Sequence, residues 1–264
     1  MHVHALDVYS SGESAVHCLD ARVKLVLTVG FIMSAALVPE GAWTAYGTLA
    51  AVAVLVVWAS HLGVGFVQRR ATVVLPFALA AVAVVFSTPG PAVLIVPVLG
   101  RELNVTSSGL TRFASILFKS WLSVQMAVVL TASTRFPDLL RAMRDVGLPK
   151  VMVSVAGFAY RYIFVIGDEV LRMIRARAAR SGALEGRGGG SIFWRAQVTG
   201  GMAGSLFLRS IERSERVYDA MVARGYDGEV RSLRPPALES RDVLVALPFA
   251  LLLVAIPVAA RISW

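Results

Sequence analysis

Two short motifs carry the most specific chemistry in this 264-residue chain: Ala179-Arg180-Ser181 and Ala223-Arg224-Gly225, whose arginines stand 44 positions apart. In each, a guanidinium sits between small residues. Small neighbours let a partner surface approach closely, while the planar fork makes a bidentate contact to a carboxylate. An arginine near a helix C-terminus also complements the helix dipole, and glycine is a common stop there. Capping is therefore the plainer reading of either motif taken alone.

Other chemistry is conspicuous by its absence. Residues 186–190 read Gly-Arg-Gly-Gly-Gly before Ser191, but a phosphate-binding loop needs a lysine after its last glycine, and none follows. The chain has no His-Glu-x-x-His, no paired carboxylates within an apolar stretch and no serine with a nearby histidine there, so no catalytic residues are assigned and an enzyme is not expected. The centres of the apolar stretches lack Asp and Glu, which ion-coupled carriers place at mid-membrane. His2 and His4 are of a metal-ligating type, as is Cys18 beside His17, yet two histidines at a terminus are more often incidental. The one cysteine excludes an internal disulfide and a cysteine-based cluster. Neither a metal site nor a cofactor is expected.

The elements that must position the arginines belong to a membrane protein. Hydrophobic residues make up 56% and charged residues 16% of the chain, against about 25% charged in soluble domains. The net charge of +9 does not point to nucleic acid, because the basic residues flank apolar runs, where they report topology and contact with the lipid bilayer. A span needs about 20 apolar residues, and five places qualify. Residues 25–38 reach spanning length with Arg22 and Lys24 snorkelling to the headgroups, and Pro39 and Glu40 end them. Residues 41–67 form the second span, anchored by Trp43 and Trp58. A third runs from 71 to about 87, followed by an outer loop with a short apolar piece, because Pro89, Pro91 and Pro97 forbid one straight helix. The fourth covers about 113–134, with Lys119 near its outer end, and the fifth 243–260. The expected fold is an all-α membrane protein: a four-span bundle over 1–134, a cytoplasmic helical region over 135–241, and a C-terminal transmembrane helix over 242–264.

Orientation follows from the basic residues. Residues 135–241 hold 18 of the 26 Lys and Arg, which makes this segment cytoplasmic and, counting back four spans, puts the N-terminus inside as well. No cleavable leader is evident. The segment is too polar to span, and its apolar run at 151–160 reads as interfacial or packed, with a re-entrant piece the lesser reading. A helix over 160–180 stops at Ser181-Gly182; a second begins after Ser191 and ends at Gly225. Along the second, Leu206, Ser210, Arg213 or Ser214, Val217 and Met221 mark a seam, while Glu212 and Arg216 form an i,i+4 pair. Asp168 and Glu169 are expected to pair with Arg172.

Together with the two arginine motifs, His17-Cys18-Leu19-Asp20-Ala21-Arg22-Val23-Lys24-Leu25, Gly147-Leu148-Pro149, Arg161-Tyr162, Asp168-Glu169, Glu212-Arg213-Ser214-Glu215 and Met221-Val222-Ala223-Arg224-Gly225-Tyr226-Asp227-Gly228 appear in a telling order. The chain resembles the transmembrane T component of energy-coupling factor transporters (the EcfT/CbiQ family), most closely its cobalt type. Ser181 stands where the commoner form of the motif has glycine. The resemblance implies a coupling scaffold in the inner (plasma) membrane. Its partners would be two cytoplasmic ABC ATPase subunits, met through Ala179, Arg180, Ser181, Ala223, Arg224 and Gly225, and a separate cobalt-type substrate-binding membrane subunit. The alternatives are a nickel- or vitamin-type T component and a stand-alone channel or carrier.

Overall fold

A computed structural model describes residues 9–98, 101–181, 191–228 and 240–262. His2, His4, Gly182, the glycine-rich 186–190 and Trp264 lie outside the described residues. In chain order the elements are α1 (Ala15–Cys18), α2 (Ala21–Leu37), α3 (Trp43–Ala59), α4 (Val64–Ala71), a 3-10 turn (Thr72–Val74) and α5 (Leu75–Ser87). Strands β1 (Ala92–Val98) and β2 (Arg101–Thr106) follow, then α6 (Ser107–Ser133), α7 (Phe136–Asp145), α8 (Lys150–Ser181), α9 (Ile192–Ala223) and α10 (Ser240–Ile262). They fall into two compact units: residues 9–146 with 240–262, and residues 147–181 with 191–228.

The first unit is a helical bundle. Asp20 opens α2 by accepting from the Arg22 amide at 2.7 Å, and Thr106 opens α6 by accepting from the Gly109 amide at 3.1 Å; each satisfies an N–H that a helix start leaves open. Its core joins Phe31 of α2, Tyr46 and Leu49 of α3, Leu122 and Met126 of α6, and Ile256 of α10. In lipid such packing is driven by close van der Waals contact, which small residues permit. Ala35, Ala45 and Ala53 supply it here. Gly109 has the same use, since a side chain there would lie 2.6 Å from the Val85 carbonyl oxygen.

The α2–α3 turn is fastened to α6. Lys119 donates to the Val38 and Ala36 carbonyls at 2.6 and 3.2 Å, the Gly41 amide donates to Ser115 Oγ at 3.1 Å, and Arg112 pairs with Glu40 at 2.9 Å. Carbonyls left open at the end of α2 are thereby satisfied from a neighbouring helix. At the other end of α2, Arg22 pairs with Asp145 of α7 at 2.7 Å, while Leu25 packs with Leu139 and Ala142.

The body is all-α, as composition predicts, and three local expectations change. The uncharged run 41–67 is not one span: α3 ends at Ala59, and Ser60 closes it by donating to the Val57 carbonyl at 2.7 Å and accepting from the Leu62 amide at 3.4 Å. The expected outer loop contains an antiparallel two-stranded ribbon, β1 with β2. A proline excluded from a helix interior is tolerated in so short a ribbon, where both strands are edges. The apolar run 151–160 is no separate piece either, since it continues through Arg161 as the first third of α8. By length and composition, four helical stretches can cross a membrane: Val64–Ser87, Ser107–Ser133, Lys150–Arg180 and Ser240–Ile262. The third of these corrects the expectation that 135–241 is too polar to span: averaged over the whole segment it is, but the apolar first half of α8 gives that helix the length and composition of a span, while α2 and α3, at 17 residues each, are shorter.

Candidate functional site

The second unit consists of α8 and α9, each of 32 residues and so about 48 Å long at 1.5 Å per residue. Local chemistry sets their ends. Before α8 the chain turns at Gly147, whose φ of +115° suits glycine, and the Pro149 carbonyl accepts from the Met152 amide at 3.0 Å. Ser191 caps α9 as the sequence predicts, its Oγ accepting from the Trp194 amide at 3.3 Å. At the far end Arg224 is the C-cap. Gly225 takes a φ of +81°, its amide donating to the Val222 carbonyl at 2.9 Å, and the Tyr226 amide donates to the Met221 carbonyl at 3.0 Å. This pair of bonds is the Schellman motif, which consumes the last free carbonyls and holds the cap residue rigidly.

Three contacts show how α8 and α9 run. Arg177 lies over the Trp194 ring at 5.9 Å, Arg209 reaches Glu169 at 3.2 Å, and Phe158 meets Tyr226 edge to face at 6.3 Å. Residue numbers fall on α8 as they rise along α9, so the helices are antiparallel. The predicted seam is the inward face of α9, where Leu206, Ser210, Val217 and Met221 are half-buried. Arg213 and Ser214 line a cleft beside it with Tyr162 and Ile166. A wider cleft of ≈ 740 Å³ lies on the other side of Glu169, lined by Met173, Arg177, Arg180, Trp194 and Met202 among others.

The two arginine motifs sit at opposite ends of this hairpin. Arg180 belongs to the end marked by Arg177 and Trp194, and Arg224 to the end marked by Phe158 and Tyr226. Those rungs are 19 residues apart on α8, roughly 28 Å of helix. Ala179, Arg180, Ala223, Arg224 and Gly225 are all exposed, and Ser181 is the last residue of α8. Among the described residues neither arginine has a carboxylate within ion-pair distance. The motifs thus form two separate points, not one pocket. Each point presents an unused five-donor fork.

Of the two acidic residues expected to pair with Arg172, Glu169 does and Asp168 does not, since one guanidinium already held by Glu169 leaves it no partner among the described residues; Arg216 pairs with Glu212 at 3.9 Å as expected. What sequence reasoning missed is that Glu169 also receives Arg209 from 40 positions away, and that Tyr226, just past the Schellman glycine, carries a ring contact to Phe158. An apolar or aromatic residue in that position is the local signal for such a contact. Among the described residues no cluster of His, Cys, Asp and Glu is grouped to hold a metal ion. His17 is already engaged, with Nδ1 2.6 Å from Ser14 Oγ and Nε2 3.1 Å from the Ser10 carbonyl.

The ordered set of motifs, now placed on these elements, matches a known family. The model of the CbiQ family, a cobalt transport protein, covers residues 12–237. This chain belongs to the CbiQ family. It is 24% identical over 242 residues to an uncharacterised protein of Methanocaldococcus jannaschii, covering 90% of this chain and 80% of that one. It is 28% identical over 163 residues to the cobalt transport protein CbiQ of Rhodobacter capsulatus, covering 60% and 64%. It is 26% identical over 230 residues to the energy-coupling factor transporter transmembrane protein EcfT of Lacticaseibacillus paracasei, covering 83% and 84%. As a CbiQ-family chain with several membrane-length helices, it is a multi-pass membrane subunit of a transporter.

Proposed function

We propose that this protein is the non-catalytic coupling scaffold of an energy-coupling factor ABC importer for cobalt ions. Two cytoplasmic ATPases hold the hairpin, one through Arg180 with Ala179 and Ser181, the other through Arg224 with Ala223 and Gly225. When the ATPases close and open, the antiparallel helices carry the movement to a separate substrate-binding membrane subunit. The carrying observation is the placement of two exposed arginine ends about 28 Å apart along one hairpin, which suits two copies or two kinds of one partner. In this reading the protein lies in the inner membrane, and α8, though long and apolar enough to cross it, lies instead with the N-terminus, α7 and α9 on the cytoplasmic side, as the excess of basic residues favours. The cobalt assignment rests on the family's name and that of the Rhodobacter relative.

The test is co-purification from the native host with wild type beside the Arg180→Ala, Arg224→Ala double variant. Truncating one partner of a buried, charge-paired contact costs about 2 to 5 kcal/mol. The wild type retains ATPase subunits and a small membrane protein, and the variant inserts normally but loses the ATPases and cobalt uptake. Unchanged cobalt uptake by the double variant overturns the proposal.

A further inference from the structure

The two ends of the hairpin differ in charge. On the Arg180 side of the Glu169–Arg209 rung, residues 170–208 hold six arginines and a single acid, Glu185, which lies outside the described residues. The other half, residues 150–168 with 210–228, balances five basic against five acidic side chains. Among the described residues, Arg172, Arg175, Arg177, Arg180 and Arg195 therefore share their half with no carboxylate, and only Glu169 of the rung answers Arg172. An even spread of arginines would mark the cytoplasmic side equally well, so topology does not account for their confinement to one end.

The clefts on either side of the rung repeat the contrast. One presents Arg177 and Arg180 beside Met173, Trp194 and Met202. Arg177 rests over the Trp194 ring, and among the described residues neither guanidinium has a carboxylate within ion-pair distance. The other cleft presents Arg213 and Arg216 together with Glu212, which pairs with Arg216. Charge of one sign between apolar walls focuses its field outward, whereas a balanced set cancels within a few ångströms.

Distance decides whether a partner feels the difference. The rungs near the two ends stand about 28 Å apart along α8, while the screening length at physiological salt is about 8 Å. A partner approaching one end therefore senses the charge of that end and not the net +9 of the chain. Resting on the coupling reading above, we propose that the Arg180 end docks on an acidic face of its ATPase and docks first, drawn in by electrostatic attraction, while the Arg224 end closes afterwards on a face without net charge. Anionic lipid is the other partner such a charge could serve. A flat leaflet meets convex faces, however, and Arg177 and Arg180 line a concave one, open to a protruding segment of protein.

The experiment captures the full-length protein in detergent micelles on a sensor surface and flows over it the ATPase subunits that co-purify with wild type. Two double variants remove the same charge from opposite ends: Arg175→Gln with Arg177→Gln, which leaves both motifs intact, and Arg213→Gln with Arg216→Gln. At about 0.1 M salt, where the screening length is about 10 Å, the first pair slows association at least about threefold with dissociation unchanged, the signature of a lost steering charge. The second pair associates at the wild-type rate. The difference closes near 1 M salt, where the screening length is about 3 Å. Equal association rates for the two pairs overturn this proposal and leave the coupling reading standing. A wild type that retains no ATPase overturns both. Weaker binding of the first pair to phosphatidylglycerol vesicles, with its ATPase association unchanged, gives the basic end to the leaflet and overturns the proposal as well.

Discussion

Glu169 of α8 accepts from Arg209 of α9 at 3.2 Å while also pairing with Arg172 on its own helix. The cross-helix pair sits between two clefts and between the aromatic rungs near either end of the hairpin. Arg209 is well exposed, so water and salt screen the attraction. Its effect is on register more than on stability. Glu169→Gln is expected to leave the thermal unfolding of the whole protein unchanged. It should broaden the distance distribution between spin labels placed on exposed sites of α8 and α9. The exchange Glu169→Arg with Arg209→Glu narrows it again, and an unaltered distribution in the single variant shows that the pair does not fix register.

Gly225 offers a sharper handle on one arginine. Its left-handed backbone costs an L-residue roughly 1–2 kcal/mol, and a side chain there meets nothing within 4 Å, so the penalty is one of backbone alone. Gly225→Val should fray the end of α9, loosen Arg224 and reduce retention of the ATPases, while Gly225→Asn, which tolerates that conformation, retains them better. Co-purification of the two variants side by side checks the ranking.

If the ATPases hold the two motifs as proposed, fork geometry should matter as much as charge. Lysine keeps the charge but cannot make two parallel bonds to one carboxylate. Arg180→Lys and Arg224→Lys should each weaken ATPase retention, measured by wash-off under rising salt, by less than the alanine variants do. Lysine variants indistinguishable from wild type would reduce both motifs to point charges.

Lys119 serves the bundle instead. Its two bonds close the end of α2, and a hydrogen bond to a charged group contributes about 1.5–3 kcal/mol. Lys119→Met should lower the unfolding temperature of the detergent-solubilised protein by several degrees without changing ATPase retention. Loss of retention at unchanged stability would assign Lys119 a coupling role.

Legibility in the sequence tracked how local the cause was. The ends of α9 depend on Ser191 and Gly225 alone, so they read directly from capping chemistry. The turn after Ala59 did not, because no charge interrupts the apolar run there, and only Ser60, His61 and Gly63 hint at it. Arg161 suggested a boundary where there is none: a helix accepts one arginine on an exposed face without interruption. The rung between Glu169 and Arg209 needs the antiparallel register, which 40 intervening residues do not disclose. The arginine motifs themselves stood out as residue types, but their separation to opposite ends is a property of the hairpin.

No described side chain of α9 is buried, and Ile192, Phe193, Phe207 and Leu208 stand in the open on it. Such a helix pair has little interior of its own to hold it shut. Local opening should therefore start in this hairpin, and backbone amides of α9 should exchange with solvent sooner than those of the bundle core around Phe31 and Leu122.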